Sequence, residues 1–216
     1  MNKPRLLDLF CKAGGASVGY ARAGFEVEGV DIEPQPHYPF KFHQADALTF
    51  PLEGFDAYHA SPPCQSYSIC QNFTKHEYPR LINAIRSRLI LTGMPFVIEN
   101  VMGARKYMQD PLMLCGTMFG LRTIRHRLFE THPPIYFPPA ACAHQYRTAK
   151  QGRAPKENEY HCVVGNCGGA ASARKAMDID WMNRNELSQA IPPAYTEYIG
   201  KYLMEAVRNS HSQRNR

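Results

Sequence analysis

No stretch of the 216-residue sequence is apolar over the roughly twenty residues that a membrane-spanning helix needs, and no signal-like apolar region precedes the first strand-like run. A soluble, cytoplasmic protein is therefore the expectation. An internal repeat is also missing, which speaks against a solenoid or propeller. So is any clean pair of Cys-x-x-Cys knuckles. The seven cysteines are odd in number and scattered, so reduced thiols are expected rather than a disulfide framework. Cys142 and His144, then His161 and Cys162, then Cys167 could between them supply four zinc ligands, but the spacing is not that of a zinc motif and no metal is expected. Charge of one sign is only modestly in excess. With 25 Lys and Arg against 19 Asp and Glu, a net +6 permits a polyanion as partner without requiring one.

What the sequence does contain is enough apolar material for one principal domain, at 44% hydrophobic residues. Apolar runs over 5–10, 26–32, 41–45, 55–60 and 95–101 read as strands. Helical or loop segments separate them, and this alternation predicts an α/β domain with a largely parallel sheet. Between 78 and 91 the positions Leu81, Ile85 and Leu89 fall four apart, as on a helix that covers a sheet. The 132–180 segment is rich in Pro, Gly, Ala and basic residues with few periodic apolar positions, and reads as an insertion. Its Arg147, Lys150, Arg153 and Lys156 suit phosphate contacts. A helix is expected to end near Val207, with a polar and basic tail over 208–216 expected to be disordered.

Chemistry concentrates at the ends of the apolar runs. Leu6-Leu7-Asp8-Leu9-Phe10 leads into Cys11-Lys12-Ala13-Gly14-Gly15, a glycine turn between strand and helix that lets a cofactor approach the backbone. The second run ends at Asp31, about where a Rossmann-like domain places its ribose-binding carboxylate; a helix cap or turn is the other ordinary use of such an acid. Pro62-Pro63-Cys64-Gln65 leaves the fourth run, and Glu99-Asn100-Val101 ends the fifth. A cysteine taken alone is more often a small buried hydrophobe. A thiol and a carboxyl at neighbouring strand ends suggest covalent chemistry instead.

In this chain order, and together with Arg125-His126-Arg127-Leu128-Phe129 and Ala190-Ile191-Pro192-Pro193-Ala194-Tyr195, these segments resemble the motifs of the DNA cytosine-5 methyltransferase family, most of all its short phage-borne members. The resemblance covers most of the chain. It implies a Rossmann-like S-adenosylmethionine-dependent methyltransferase fold, with a mostly parallel sheet, helices on both faces and a small irregular insertion. The catalytic domain would comprise 1–131 and 181–207, and 132–180 would be a reduced target-recognition insertion. The partner implied is duplex DNA with one cytosine flipped out of the stack. A monomer is expected, in a bacterial or phage-infected cell, where it would modify the bearer's own DNA against restriction.

The same resemblance assigns roles residue by residue. Cys64 would be the nucleophile on cytosine C6, provided its pKa is lowered by a following helix or a neighbouring cation; burial alone would make it inert. A protonated Glu99 would donate at N3, Asn100 would hold the loop, Arg127 would bond the cytosine O2, and Arg125 would brace Glu99 or a phosphate. The cofactor would lie against Phe10, Lys12, Ala13, Gly14, Gly15, Asp31, Ile32, Asp46, Ala47, Pro62, Gln189 and Ala190, with Asp46 on the adenine amino group. Pro63, Gln65, Ser66 and Ser68 would touch the substrate, the loop from Gln65 to Thr74 would close over it, and Tyr67, Phe73 and Tyr78 suit a nucleic-acid surface, a solvated lid being the other reading of such a loop. Three positions depart from the family: Lys12 replaces a glycine, Thr123 a glutamine and Gln189 an asparagine. At a left-handed position a lysine would cost roughly 1 kcal/mol, and a solvent-facing side chain is its ordinary reading. The same chemistry on RNA, as in the transfer-RNA branch, and a catalytically weak nucleic-acid-binding relative stay open.

Overall fold

The computed structural model describes residues 3–67, 79–165 and 167–214. Five runs at or near the expected places pair as strands: β1 (Arg5–Leu9), β2 (Glu26–Asp31), β3 (Lys41–Gln44), β4 (Ala57–Ala60) and β5 (Phe96–Asn100). Two further strands join them, β6 (Leu112–Leu114) and β7 (Arg127–His132), giving a seven-stranded sheet in the order β3-β2-β1-β4-β5-β7-β6. The first five strands are parallel to one another, while β7 runs antiparallel to both β5 and β6. Central strands in such a sheet are covered on both faces and need continuous apolar runs. β4 and β5 are buried at every position.

The strand order reverses between β1 and β4, so the chain leaves these two strands in opposite directions and opens a crevice at their carboxyl ends. The antiparallel course of β7 has a further consequence. Its first residues, not its last, lie at this carboxyl edge, with Leu128 opposite Asn100.

Helices cover both faces. On one side α1 (Gly15–Arg22) and α5 (Pro193–Arg214) pack together over Leu6, Val27 and Phe129. A side chain on Gly19 would come within 2.1 Å of Thr196 Oγ1, so glycine is what allows the two helices to touch. On the other side α2 (Ile82–Thr92) lays Ile82, Ile85 and Leu89 on Leu7, Tyr58 and Ile98, and ends on Gly93 at φ 65°, the left-handed stop that glycine adopts without strain. Pro193 opens α5, where its missing N–H is no loss. That helix runs on to Arg214, seven residues past the expected end at Val207, so the expected disorder does not hold for 208–214. Ser210 and Ser212 hydrogen-bond back to Ala206 and Arg208 within it.

A buried ion pair ties α2 to β7. Arg86 Nε and Nη2 donate to the two Glu130 oxygens at 2.5 and 2.7 Å, and the Gln109 N–H adds a third bond at 2.8 Å. Both residues are under a tenth exposed. Replacing Arg86 with Leu strands the carboxylate in a dry site, so the expected loss is about 3–5 kcal/mol of unfolding free energy, read from urea denaturation.

The 132–180 segment is less irregular than its composition suggests. It carries a two-stranded ladder of β8 (Arg147–Thr148) and β9 (Glu159–Tyr160) and the helix α3 (Ala170–Met177), followed by α4 (Arg184–Gln189) with an Asn183/Glu186 capping box. Val163, Cys167, Ala173, Ala176, Met177 and Ile179 form a third apolar cluster with Ala13, Leu187 and Ala190. The segment is thus packed onto the glycine turn and the start of the C-terminal motif. None of the described helices is long and apolar enough to cross a membrane.

Candidate active site

Each expected nucleophile or acid stands at the carboxyl edge because its apolar run ends there. The loop after β4 carries Pro62, Pro63 and Cys64 and turns into a short 3₁₀ segment, Gln65–Tyr67, with the Tyr67 N–H bonded to the Cys64 carbonyl at 3.0 Å. Asn100, at the end of β5, donates its amide to the Pro62 carbonyl at 2.9 Å. That bond holds the thiol loop to the neighbouring strand. Glu99 is 5% exposed and takes Arg127 Nε at 3.0 Å. Burial raises its pKa, opposed first by the Arg127 charge and then by a hydrogen bond from Ser61. The neutral acid is therefore favoured relative to a free carboxyl group.

A chain of buried polar groups stands behind Glu99. Tyr20 Oη meets His59 Nδ1 at 2.9 Å, His59 Nε2 meets Ser61 Oγ at 2.9 Å, and Ser61 bonds Glu99. Full burial lowers the His59 pKa to about 3, so the ring is neutral. Burial also keeps the Tyr20 hydroxyl protonated. A neutral ring accepts at one nitrogen and donates at the other. With Tyr20 donating to Nδ1, the Nε2–H points to Ser61, which is free to donate onward to the carboxyl group. His59 lies inside an apolar run, where its alternation reads only as burial. Nothing in the sequence marks it as a support for Glu99.

The nucleophile's role requires a lowered Cys64 pKa, whereas burial raises it and the Glu99 charge adds to the rise, while Arg127, its own loop backbone and Arg125 oppose. Among the described residues Cys64 is followed by a 3₁₀ turn of three residues, Gln65–Tyr67. Thiol and carboxyl are thus coupled: once Glu99 holds a proton, its opposition disappears and the two guanidinium groups favour the thiolate. Glu99→Gln should therefore move the pH profile of Cys64 alkylation by iodoacetamide to lower pH than in the wild type. An unmoved profile would show that the Glu99 charge does not act on the thiol.

Arg125, expected to brace Glu99 or a phosphate, makes its hydrogen bonds among the described residues elsewhere than on Glu99. Its Nη atoms donate to the Val163 carbonyl at 2.6 Å and the Ser188 carbonyl at 2.9 Å, and its own carbonyl accepts from Tyr195 Oη at 2.6 Å. It is 3% exposed, and Nε has no partner among the described residues. Arg125 is a bolt between the strand edge, the 132–180 segment and the C-terminal motif. Thr123 belongs to the same joint, its hydroxyl donating to the His161 carbonyl at 3.1 Å.

At the other half of the crevice, Phe10, Lys12 and Gly14 all have positive φ, at 61°, 44° and 80°. A side chain on Gly15 would come within 2.4 Å of the Ile191 carbonyl, so the glycine turn and the Gln189-Ala190-Ile191 stretch meet directly. The Trp181 indole adds a bond to the Ala13 carbonyl at 2.8 Å. Asp31 accepts the N–H groups of Lys12 and Glu33, each at 3.1 Å. A carboxylate has about four lone-pair sites, so these two bonds do not exhaust its capacity to accept. Beside it Ile32 is 67% exposed, an apolar side chain left uncovered at a strand end. Lys12 is not simply solvent-facing. Its ammonium pairs with Glu33 at 2.7 Å and approaches Asp31 at 3.6 Å, and its left-handed backbone is the strained one anticipated for a lysine there. Asp46 is exposed and caps the Leu48 N–H at 2.8 Å, with Ala47 buried beneath it.

Of the expected substrate contacts, Pro63 is partly buried, Gln65 is exposed, and Ser66 is buried with no partner for its hydroxyl among the described residues. Ser68, Phe73, Thr74 and Tyr78 lie outside the described residues. The zinc set considered from spacing does not assemble as such. Cys142 and His144 come together with Cys115 and His126, whereas His161 bonds Ser172 and Cys167 is buried in the third apolar cluster.

Neither a protein-family model nor a curated protein matches the sequence. Solved structures do. A provisionally assigned DNA modification methyltransferase encoded within an E. coli prophage superposes with a TM-score of 0.61 at 17% identity, covering 95% of this chain and 99% of that one. The S. pombe Dnmt2 methyltransferase gives 0.63 at 14% identity, covering 94% and 99%. The Entamoeba histolytica methyltransferase EhMeth gives 0.62 at 12% identity, covering 95% and 99%. The chain has the Rossmann-like fold of these methyltransferases over nearly its whole length.

Proposed function

We propose that the protein belongs to the DNA cytosine-5 methyltransferase family and methylates C5 of cytosine in DNA, with Cys64 as the nucleophile on C6. The observation that carries this reading is the meeting of Cys64, Glu99 and Arg127 at one sheet edge, where burial favours a neutral Glu99 and a guanidinium group holds it. S-adenosylmethionine, when bound, supplies an electrophilic methyl group. The glycine turn, the remaining lone pairs of Asp31, the exposed Ile32 and the Asp46 carboxylate are the groups that fit it.

Cytosine C5 is a weak carbon nucleophile. The Cys64 thiolate adds its electron pair to C6, which breaks the ring's conjugation and places electron density on C5 and N3. Glu99 donates a hydrogen bond at N3, and Arg127 donates to the exocyclic O2. After methylation, removal of the C5 proton returns an electron pair to the ring, breaks the S–C6 bond and releases the thiolate. Because C6 is stacked inside a duplex, the base must leave the helix for any of this to occur.

The test is incubation with S-adenosylmethionine and unmodified duplex DNA, followed by digestion and mass spectrometry of the nucleosides. Appearance of 5-methyl-deoxycytidine is the expected result. Modification of a matched RNA in its place would overturn the DNA assignment. Calorimetry that finds DNA binding but no cofactor binding would instead identify a nucleic-acid-binding relative.

A further inference from the structure

The side chains that methyl transfer leaves unused gather where the carboxyl edge meets the 132–180 segment. Cys115 follows β6, His126 stands between the two arginines ahead of β7, and Cys142 and His144 come from the chain beyond β7. One sulfur or ring nitrogen from each lies within 4.8 Å of all the others. Cys142 Sγ is 3.1 Å from His144 Nε2 and 3.4 Å from His126 Nε2, and Cys115 Sγ is 3.5 Å from His144 Nε2.

Hydrogen bonding alone accounts poorly for this arrangement. A thiol has one proton, yet Cys142 Sγ faces two ring nitrogens, and two sulfurs crowd the same imidazole. A metal ion accounts for it directly. With metal–sulfur bonds of about 2.3 Å and metal–nitrogen bonds of about 2.0–2.1 Å, a tetrahedron has sulfur–nitrogen edges of about 3.5 Å. The three separations, from 3.1 to 3.5 Å, lie at or inside that edge. Two thiolates and two imidazoles are the donor set of zinc, not of magnesium or calcium. Thr117 Oγ1 donates to Cys115 Sγ at 3.4 Å, the outer hydrogen bond that a ligating thiolate accepts.

We propose that Cys115, His126, Cys142 and His144 form a tetrahedral zinc site that fastens the 132–180 segment to the edge of the sheet. Four protein ligands close the coordination sphere, so the ion is structural rather than catalytic. Its effect falls on the backbone of His126, which is held between Arg125, the bolt to Val163 and Ser188, and Arg127, the partner of Glu99. The site stands whether or not the protein transfers methyl groups. It also reverses the expectation that the chain holds no metal, because two of the four ligands come from elements that spacing did not connect.

The experiment uses the full chain, untagged, kept reduced, and equilibrated with zinc before desalting. Mass spectrometry of the metal content should find one zinc per chain. Cobalt in its place should give the intense visible bands of a tetrahedral thiolate complex. A strong chelator should lower the melting temperature by more than about 5 °C. His144 is exposed and Cys142 only partly buried, so His144→Ala and Cys142→Ser should fold, as checked by circular dichroism. Both should lose the cobalt spectrum and the chelator response. A folded wild type that binds under a tenth of an equivalent of zinc and gives no cobalt bands overturns the site, as does full metal content in the Cys142→Ser/His144→Ala double variant.

Discussion

Cys64→Ser is expected to lower methyl transfer by about 10⁴-fold or more, the scale on which removal of a covalent nucleophile acts. Binding of S-adenosylmethionine should be unchanged, because Cys64 is not among the groups that fit the cofactor and serine differs from cysteine by a single atom. A serine hydroxyl in the same half-buried loop would not ionise near neutral pH, whereas the thiol needs only to overcome burial and its carboxyl neighbour. The same variant tests the covalent step. With 5-fluoro-deoxycytidine in the target position no C5 proton is left to remove, so the S–C6 bond cannot break by elimination. Wild-type protein should remain attached to such DNA through denaturing electrophoresis, and Cys64→Ser should not. An equally attached serine variant would remove Cys64 from the mechanism.

Glu99→Gln should cost about 10²–10⁴-fold in rate, the usual range for loss of a positioned acid. This variant separates two explanations of Glu99. If the residue mattered only by opposing thiolate formation, its neutralisation would speed the reaction, since the Glu99 charge raises the Cys64 pKa. If it donates at N3, the rate falls even though the thiol becomes easier to ionise. The expected result is the second: faster alkylation of Cys64 at neutral pH together with slower methyl transfer. The pH dependence of the wild type follows from the same pair. Activity needs the thiolate and the neutral acid together, and both groups have raised pKa values. The form that holds both should be populated between two apparent pKa values, giving a bell whose limbs belong to the pair rather than to either residue.

The buried groups behind Glu99 explain why a carboxyl group can hold one orientation there. A neutral His59 cannot repel the guanidinium of Arg127, and its two bonds leave Ser61 directed at Glu99. The Arg127–Glu99 pair and the His59–Ser61 chain thus approach the acid from two sides. Loss of either would leave the carboxyl group free to turn.

The strand ends were legible because a parallel sheet converts sequence order into position: every apolar run delivers the residues after it to the same edge. That logic located Asp31, Cys64, Glu99 and Asn100 directly. It also located the glycine turn, whose positive φ angles only a few residue types adopt without cost. Other features depended on chain segments that meet only in the fold. The antiparallel entry of β7 put Arg127 rather than Arg125 on Glu99, and Arg125 found its partners in carbonyls 38 and 63 residues away. The direction of the Cys64 shift was decided by what packs over it, since desolvation is a property of the surroundings and not of the motif. His59 and the four-ligand cluster were hidden for the same reason. Local pattern states which side chain stands at a strand end or faces a core, while its partners, and hence its chemistry, come from tertiary contact.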